Sequence, residues 1–335
     1  MNFKRDLIEI VKHYFATEGI SFEDTGDASD FAARYCEMRI RRIVPRPRDV
    51  HFSREIHDSL GSLAREYDKE GCDTKFEAWH TVFYLRQLFV SGESVLPHLS
   101  RGVENTATKD GLLWDYGMHH FHLSRKLENS GFVERSDYLL FAIVADTDVY
   151  FVDVRRHHDP DNLLWVRQDL LRIVYVNWPE LTDTRELHGV SGKTLTDKEI
   201  WELRRKNSNH ISNLGRQAIA PLGGGTNFAG SSTLCRVWGD KLVREIEQHE
   251  KYFYSQPAEL RATLEARGMK FCGDMAFELI PLDRVNLSEE TVENLQRDDC
   301  LSAGLSKMGF AIVEATTRTP IVVTLTKGQS PQPTR

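Results

Sequence analysis

Tyr138-Leu139-Leu140-Phe141-Ala142-Ile143-Val144 is followed by Ala145-Asp146-Thr147-Asp148 and then by Val149-Tyr150-Phe151-Val152-Asp153-Val154. Both flanks are apolar and rich in β-branched and aromatic side chains, and the four residues between them are small or polar. The stretch therefore predicts two antiparallel strands joined by a tight turn. Just before it, Met118 to Leu123 alternates loosely, which predicts a third strand. A second hairpin is expected from Phe310 to Thr326, and a further strand from Met275 to Pro281.

Upstream of this core the pattern is helical. Phe3, Leu7, Ile8, Val11 and Phe15 recur near helical spacing. Asp27 to Asp30 can cap a second helix through Phe31, Tyr35 and Met38, which Pro45 and Pro47 end. Ser53 can cap a third with Ile56, Leu60 and Leu63 on one face, and a fourth runs through Phe76 to Phe89. Downstream, Leu163 to Val176 predicts a helix or a helix-to-strand segment. Thr196 and Glu199 form the two ends of a capping box opening a polar helix to Asn207. Further helices are expected from Ser232 to Phe253 and near Glu289 to Leu295. The fold class is α+β: a helical N-terminal region followed by a mixed α/β body with antiparallel hairpins. The expected divisions are a helical domain over 1–105, a His-rich core over 111–185, a C-terminal α/β region with a Gly-rich loop over 186–327, and a disordered tail over 328–335. No internal repeat is present.

Composition narrows the function classes. A chain of 335 residues, 40% hydrophobic and 28% charged, can bury a core without staples. Five scattered cysteines with no C-x-x-C pair argue against a disulfide framework or a cysteine-rich zinc site, and fit a reducing, cytoplasmic setting. The charged N-terminus lacks the apolar centre of a signal peptide, and no apolar run is long enough to span a bilayer, so no membrane partner is expected. A net charge of −7 leaves nucleic-acid contact to a local basic patch.

The densest potential chemistry lies between Trp114 and Asp159. Of the 13 histidines, His119, His120, His122, His157 and His158 fall there, well above an even spread. On a strand, His120 and His122 share a face while His119 points away. Imidazoles near neutral pH can divide the roles of base and acid in cleaving a phosphodiester, with Arg135 and Arg125 as phosphate ligands and Arg155 and Arg156 beside the second pair. The catalytic candidates are His120, His122, His158 and Arg135. For any one of these histidines taken alone, packing or hydrogen bonding at a sheet edge is the preferred reading; the functional one rests on the cluster as a whole. The His120-x-His122 pair also has ligand chemistry for a metal-dependent hydrolase, but no acidic partner stands at a diagnostic spacing, so no metal and no cofactor are expected.

Arg135-Ser136-Asp137-Tyr138-Leu139-Leu140-Phe141, the turn, and Tyr150 to His158 resemble the core hairpin of RelE/ParE-type bacterial toxins. The likeness covers His119 to Leu170, and Leu139 stands where the family carries an arginine. It implies a metal-independent endoribonuclease of the toxin–antitoxin or phage-defence kind, with RNA as substrate and an antitoxin or the ribosome as protein partner. Members of that family without the cleavage residues only bind a partner, so the alternative is a non-catalytic, antitoxin-like regulator.

Two other features bear on binding. Arg39, Arg41, Arg42, Arg46 and Arg48 form a basic segment; Arg41 and Arg42 are candidates for phosphate contact, or the cations simply close a helix end. Gly223-Gly224-Gly225 opens a loop to Gly230 ahead of a helix. Gly224 and Gly225 can present N–H groups to an anion, or the loop is plain surface. No Walker pattern and no G-x-S-x-G elbow occur.

Overall fold

The computed structural model describes residues 2–70, 73–191, 193–266, 268, 270, 275–281, 309–315 and 320–324. In chain order they form α1 (Phe3–Thr17), α2 (Ala28–Arg41), β1 (Asp49–Phe52), α3 (Arg54–Glu70), α4 (Asp73–Ser91), α5 (Gly111–Tyr116), β2 (Met118–His122), β3 (Tyr138–Val144) and β4 (Asp148–Arg156). Next come α6 (Gln168–Asn177), α7 (Pro179–Asp183), α8 (Asp197–Arg205), β5 (Ser212–Leu214), β6 (Gln217–Ile219), α9 (Thr233–Ser255) and α10 (Pro257–Ala266). The chain closes on β7 (Phe277–Pro281), β8 (Phe310–Glu314) and β9 (Pro320–Thr324). This is the α+β architecture with a helical N-terminal region that the patterning predicts. The helix expected near Glu289 to Leu295 and the tail over 328–335 lie outside the described residues.

Local signals place many of these boundaries. The Asn2 side chain caps α1, which buries Phe3, Leu7, Val11 and Phe15 along one stripe. Ser53 caps α3 by accepting from the Ile56 N–H at 2.9 Å, and its own hydroxyl donates to the Val152 carbonyl. The Thr196–Glu199 capping box opens α8.

The chain divides into two compact units. One comprises residues 2–37 and the described residues from 235 onward. In it α1 packs through Phe3 against Phe253 of α9, with ring centres 6.2 Å apart, and Phe253 meets Phe277 of β7 at 4.8 Å. Gly239 lets α9 approach α2 closely, because a Cβ there would meet the Ala33 nitrogen and the Ser29 carbonyl at 2.8 Å. β7, β8 and β9 form an antiparallel sheet in that order.

The second unit, residues 38–234, is built on a four-stranded sheet of order β1-β4-β3-β2. The expected hairpin is β3–β4, and β2 pairs antiparallel to β3, with His120 opposite Phe141 and His122 opposite Leu139. β1 adds a strand parallel to β4, Asp49 beside Asp148, from the segment just after the arginine run. Every residue of β3 is buried. Leu140, Ala142 and Val144 face a core made with α3 and α4; Leu139, Phe141 and Ile143 face a second core made with α5 and α6. Coverage on both faces explains the unbroken apolar run. β2 lies at an edge of this sheet, and that edge carries the histidines.

Candidate functional site

Asp110 caps α5, and Gly117 at φ +66° ends it, turning the chain directly into β2. The strand's alternation then sorts the histidines. His119 and Phe121 face the α3–α4 side, whereas Met118, His120 and His122 face the other. His119 Nε2 is 3.2 Å from the Ile40 carbonyl and must donate to it, which leaves the lone pair on Nδ1. At the strand end, buried His98 donates from Nδ1 to the His122 carbonyl at 2.9 Å.

His157 completes the cluster. Its N–H donates to the Asp137 carbonyl at 2.7 Å, continuing the β3–β4 pairing past Arg156. The His120 and His122 ring centres are 6.0 Å apart, and those of His122 and His157 are 5.8 Å apart. Trp165 lies against two of them, 4.8 Å from His120 and 6.1 Å from His157.

These four groups open on a cavity of about 520 Å³. Its wall carries six cationic side chains against two carboxylates, a local excess of positive charge in a chain of net charge −7. The cations differ in what they hold. Arg41 is buried and donates to the carbonyls of Gly102, Asn105 and Thr108. Arg204, on α8, donates from Nε to Asp115 at 2.7 Å and from Nη1 to the Trp165 carbonyl at 2.6 Å. Arg101 pairs with Glu128, and Lys109 reaches Asn207. Arg135 is exposed and has no ion pair among the described residues.

Burial dominates the proton affinities. It pushes His122 down to about 3, helped by the charges that His120, His157 and Arg135 would bring. His119 is pushed down to about 4 by burial, which outweighs the nearby carboxylate of Asp110. His120 and His157 are lowered for the same first reason, His157 also by Arg135 and against the pull of Asp137. All four are neutral imidazoles at neutral pH. His119 Nδ1, His122 Nδ1 and Trp114 Nε1 are buried without a hydrogen-bond partner among the described residues. Each such orphan costs about 1–3 kcal/mol.

The structure thus gathers His120, His122, Arg135 and Arg41 from the expected set at one cavity. It places the others elsewhere. His158 follows His157 but lines a separate surface cleft with Arg155, Arg156 and Asp159. Arg155 is paired with Asp153 and Asp169, and Arg156 lies over the Tyr138 ring. Arg125 stacks on Tyr84 at 4.6 Å. Arg42 donates to the Val103 carbonyl, and Arg48, also buried, holds the Ala145 and Val44 carbonyls. The arginine run therefore ties loops together through backbone oxygens. Gly224 and Gly225 have φ of +87° and +78°, but their N–H groups already donate to the Pro221 and Trp114 carbonyls, so neither amide is open to an anion. The neighbouring Gly223 has no room for a side chain, because a Cβ would run into the Leu113 carbonyl.

The histidine that joins the cluster, His157, is legible in hindsight from strand parity, since it shares a face with Arg155, which is paired with Leu139 and so aligned with His122. Trp165, Trp201, Asp115 and Arg204 carried no sequence signal, being scattered over three segments. Among the described residues, no group of three or more His, Cys, Asp or Glu is disposed to hold a metal ion, and no helix is long and apolar enough to cross a membrane. No protein-family model matches the chain, and no characterised protein and no solved structure is significantly similar to it.

Proposed function

We propose that the second unit is a metal-independent endoribonuclease that works by histidine acid–base catalysis. The observation that carries this reading is the convergence of His120, His122 and His157 with the exposed guanidinium of Arg135 on one cation-rich cavity. His120, open to the cavity, takes the proton of a ribose 2′-hydroxyl. The 2′-oxygen then attacks the adjacent phosphorus and the bond to the 5′-oxygen breaks. His157, nearest Asp137, gives its proton to that leaving oxygen. Arg135 faces the charge that gathers on the non-bridging oxygens. The products are a 2′,3′-cyclic phosphate and a 5′-hydroxyl. His122, buried between the other two rings, orients them as a neutral imidazole. The likeness of the β3–β4 hairpin to RelE/ParE-type toxins supports the same reading and extends it to a toxin or phage-defence role.

A second reading, RNA binding without cleavage, is favoured by the low proton affinity of His122, since imidazoles that stay neutral are better hydrogen-bond partners than acids. Incubating the protein with RNA in the presence of a chelator separates the two. Cleavage is expected, falling about 10²- to 10⁴-fold in His120→Ala. Intact RNA with the wild type, or undiminished cleavage by the variant, overturns the nuclease.

A further inference from the structure

We propose that the cavity receives one unpaired base of single-stranded RNA, stacked on Trp165 and Trp201, and that duplex RNA is thereby refused. This rests on the reading of the cavity as an RNA site. Of the six tryptophans, Trp114, Trp178 and Trp238 are buried, while Trp79, Trp165 and Trp201 are half-buried. Two of those three partly open indoles line this one cavity.

The Trp165 indole is held in place, and the helix that carries Trp201 is anchored beside it. Trp165 is fixed through its carbonyl by Arg204, and its ring is braced by Phe141, 6.2 Å between centres. Trp201 is carried three residues before Arg204 on α8, so the same ion pair to Asp115 that anchors Arg204 steadies the helix turn presenting Trp201. A rigid aromatic surface loses little entropy on stacking, and stacking tolerates any base because every base has a π-face. Arg135, Lys109 and Arg205 are exposed at the same cavity, where the phosphates flanking the stacked base would lie.

The size and depth of the site then exclude a duplex. A cavity of about 520 Å³ falls in the range of about 300–1,000 Å³ that takes a small molecule, which suits one nucleotide. His122 is only 8% exposed, so a reacting phosphodiester must enter rather than pass by. In A-form RNA each base is paired and stacked on both sides, and bringing one to the indoles requires unstacking it.

The test measures anisotropy of a labelled 2′-O-methyl oligonucleotide, which cannot be cut by 2′-hydroxyl attack. It is offered single-stranded, as the same sequence in a duplex, and as a chain carrying an abasic site. Single strand should bind at least about ten-fold more tightly than duplex or abasic chain. Trp201→Ala should weaken it by a similar factor, and Trp201→Phe, which keeps a ring, should restore it. Should the alanine variant fold poorly, the duplex and abasic comparisons on the wild type still decide. Equal binding of single strand and duplex, equal binding of the abasic chain, or no binding at all overturns the proposal. If discrimination holds but unmodified RNA survives intact, cleavage falls and base stacking stands. If single-stranded and duplex RNA are cut equally, the reverse holds.

Discussion

The imidazole of His122 stands 5.8 Å from that of His157, ring centre to ring centre, although the whole of β3 lies between the strands that lead to them. The register makes this contact: His122 opposes Leu139, Leu139 opposes Arg155, and His157 follows two residues on, on the same face. His158 instead lines a separate cleft with Arg156 and Asp159. Replacing His157 by alanine should therefore lower RNA cleavage about 10²- to 10⁴-fold, while His158→Ala should stay close to wild type. Single-turnover cleavage rates of the two variants decide, and equal losses would remove the assignment of the acid to His157.

The pH profile of cleavage should be displaced to acid. The base must be deprotonated, so activity rises as pH climbs through its pKa; the acid must be protonated, so activity falls as pH climbs through its own. Burial holds both His120 and His157 below the ordinary 6.5, with Arg135 and His158 adding to the effect at His157 and Asp137 opposing it. The alkaline limb of the profile should thus begin below 6.5. A maximum at or above pH 7.5 would show that other groups carry the protons.

Acid should destabilise the fold through the buried histidines. His119 and His122 titrate near 4 and 3 in the folded chain against 6.5 unfolded. Between those limits the unfolded chain binds more protons, so stability is complete above pH 6.5 and is lost as pH falls toward the folded values. Each can contribute about 3 kcal/mol or more at full extent, as an order of magnitude. Thermal melting should drop steeply between pH 6.5 and 4, and His119→Gln should flatten that slope by up to one proton. Parallel curves for wild type and variant would show that His119 does not gain its neutrality from the fold.

The Asp115–Arg204 pair should be far more costly to split than to keep. Both side chains are largely buried, at 5% and 13% exposure, and Arg204 also holds the Trp165 carbonyl. Arg204→Ala leaves a buried carboxylate without its cation, which costs about 3–5 kcal/mol. Asp115→Asn in the same background should recover part of that loss, since it removes the orphaned charge. Denaturant unfolding of the single and double variants measures both effects, and a double variant no more stable than Arg204→Ala would point to lost packing instead.

The features that the sequence determined by itself are local ones. The α1 stripe of Phe3, Leu7, Val11 and Phe15, the Ser53 cap, the Thr196–Glu199 box and the β3–β4 hairpin each depend on side chains a few residues apart, and a backbone period of 3.6 or 2 is enough to reveal them. The tertiary structure alone decided the rest. β1 joins β4 in parallel because Asp49 to Phe52 finds a partner strand far along the chain, and four alternating residues carry no mark of that partner. Arg41 and Arg42 look like phosphate ligands in sequence, but the carbonyls of Gly102, Thr108 and Val103 reach them first, and a guanidinium folded into the protein binds whichever acceptors surround it. The site followed the same rule. That histidines cluster was plain from their spacing, but that His157 rather than His158 meets His122 depended on strand register, and Trp201 joined Trp165 at the cavity through α8, which Arg204 ties to the Trp165 carbonyl.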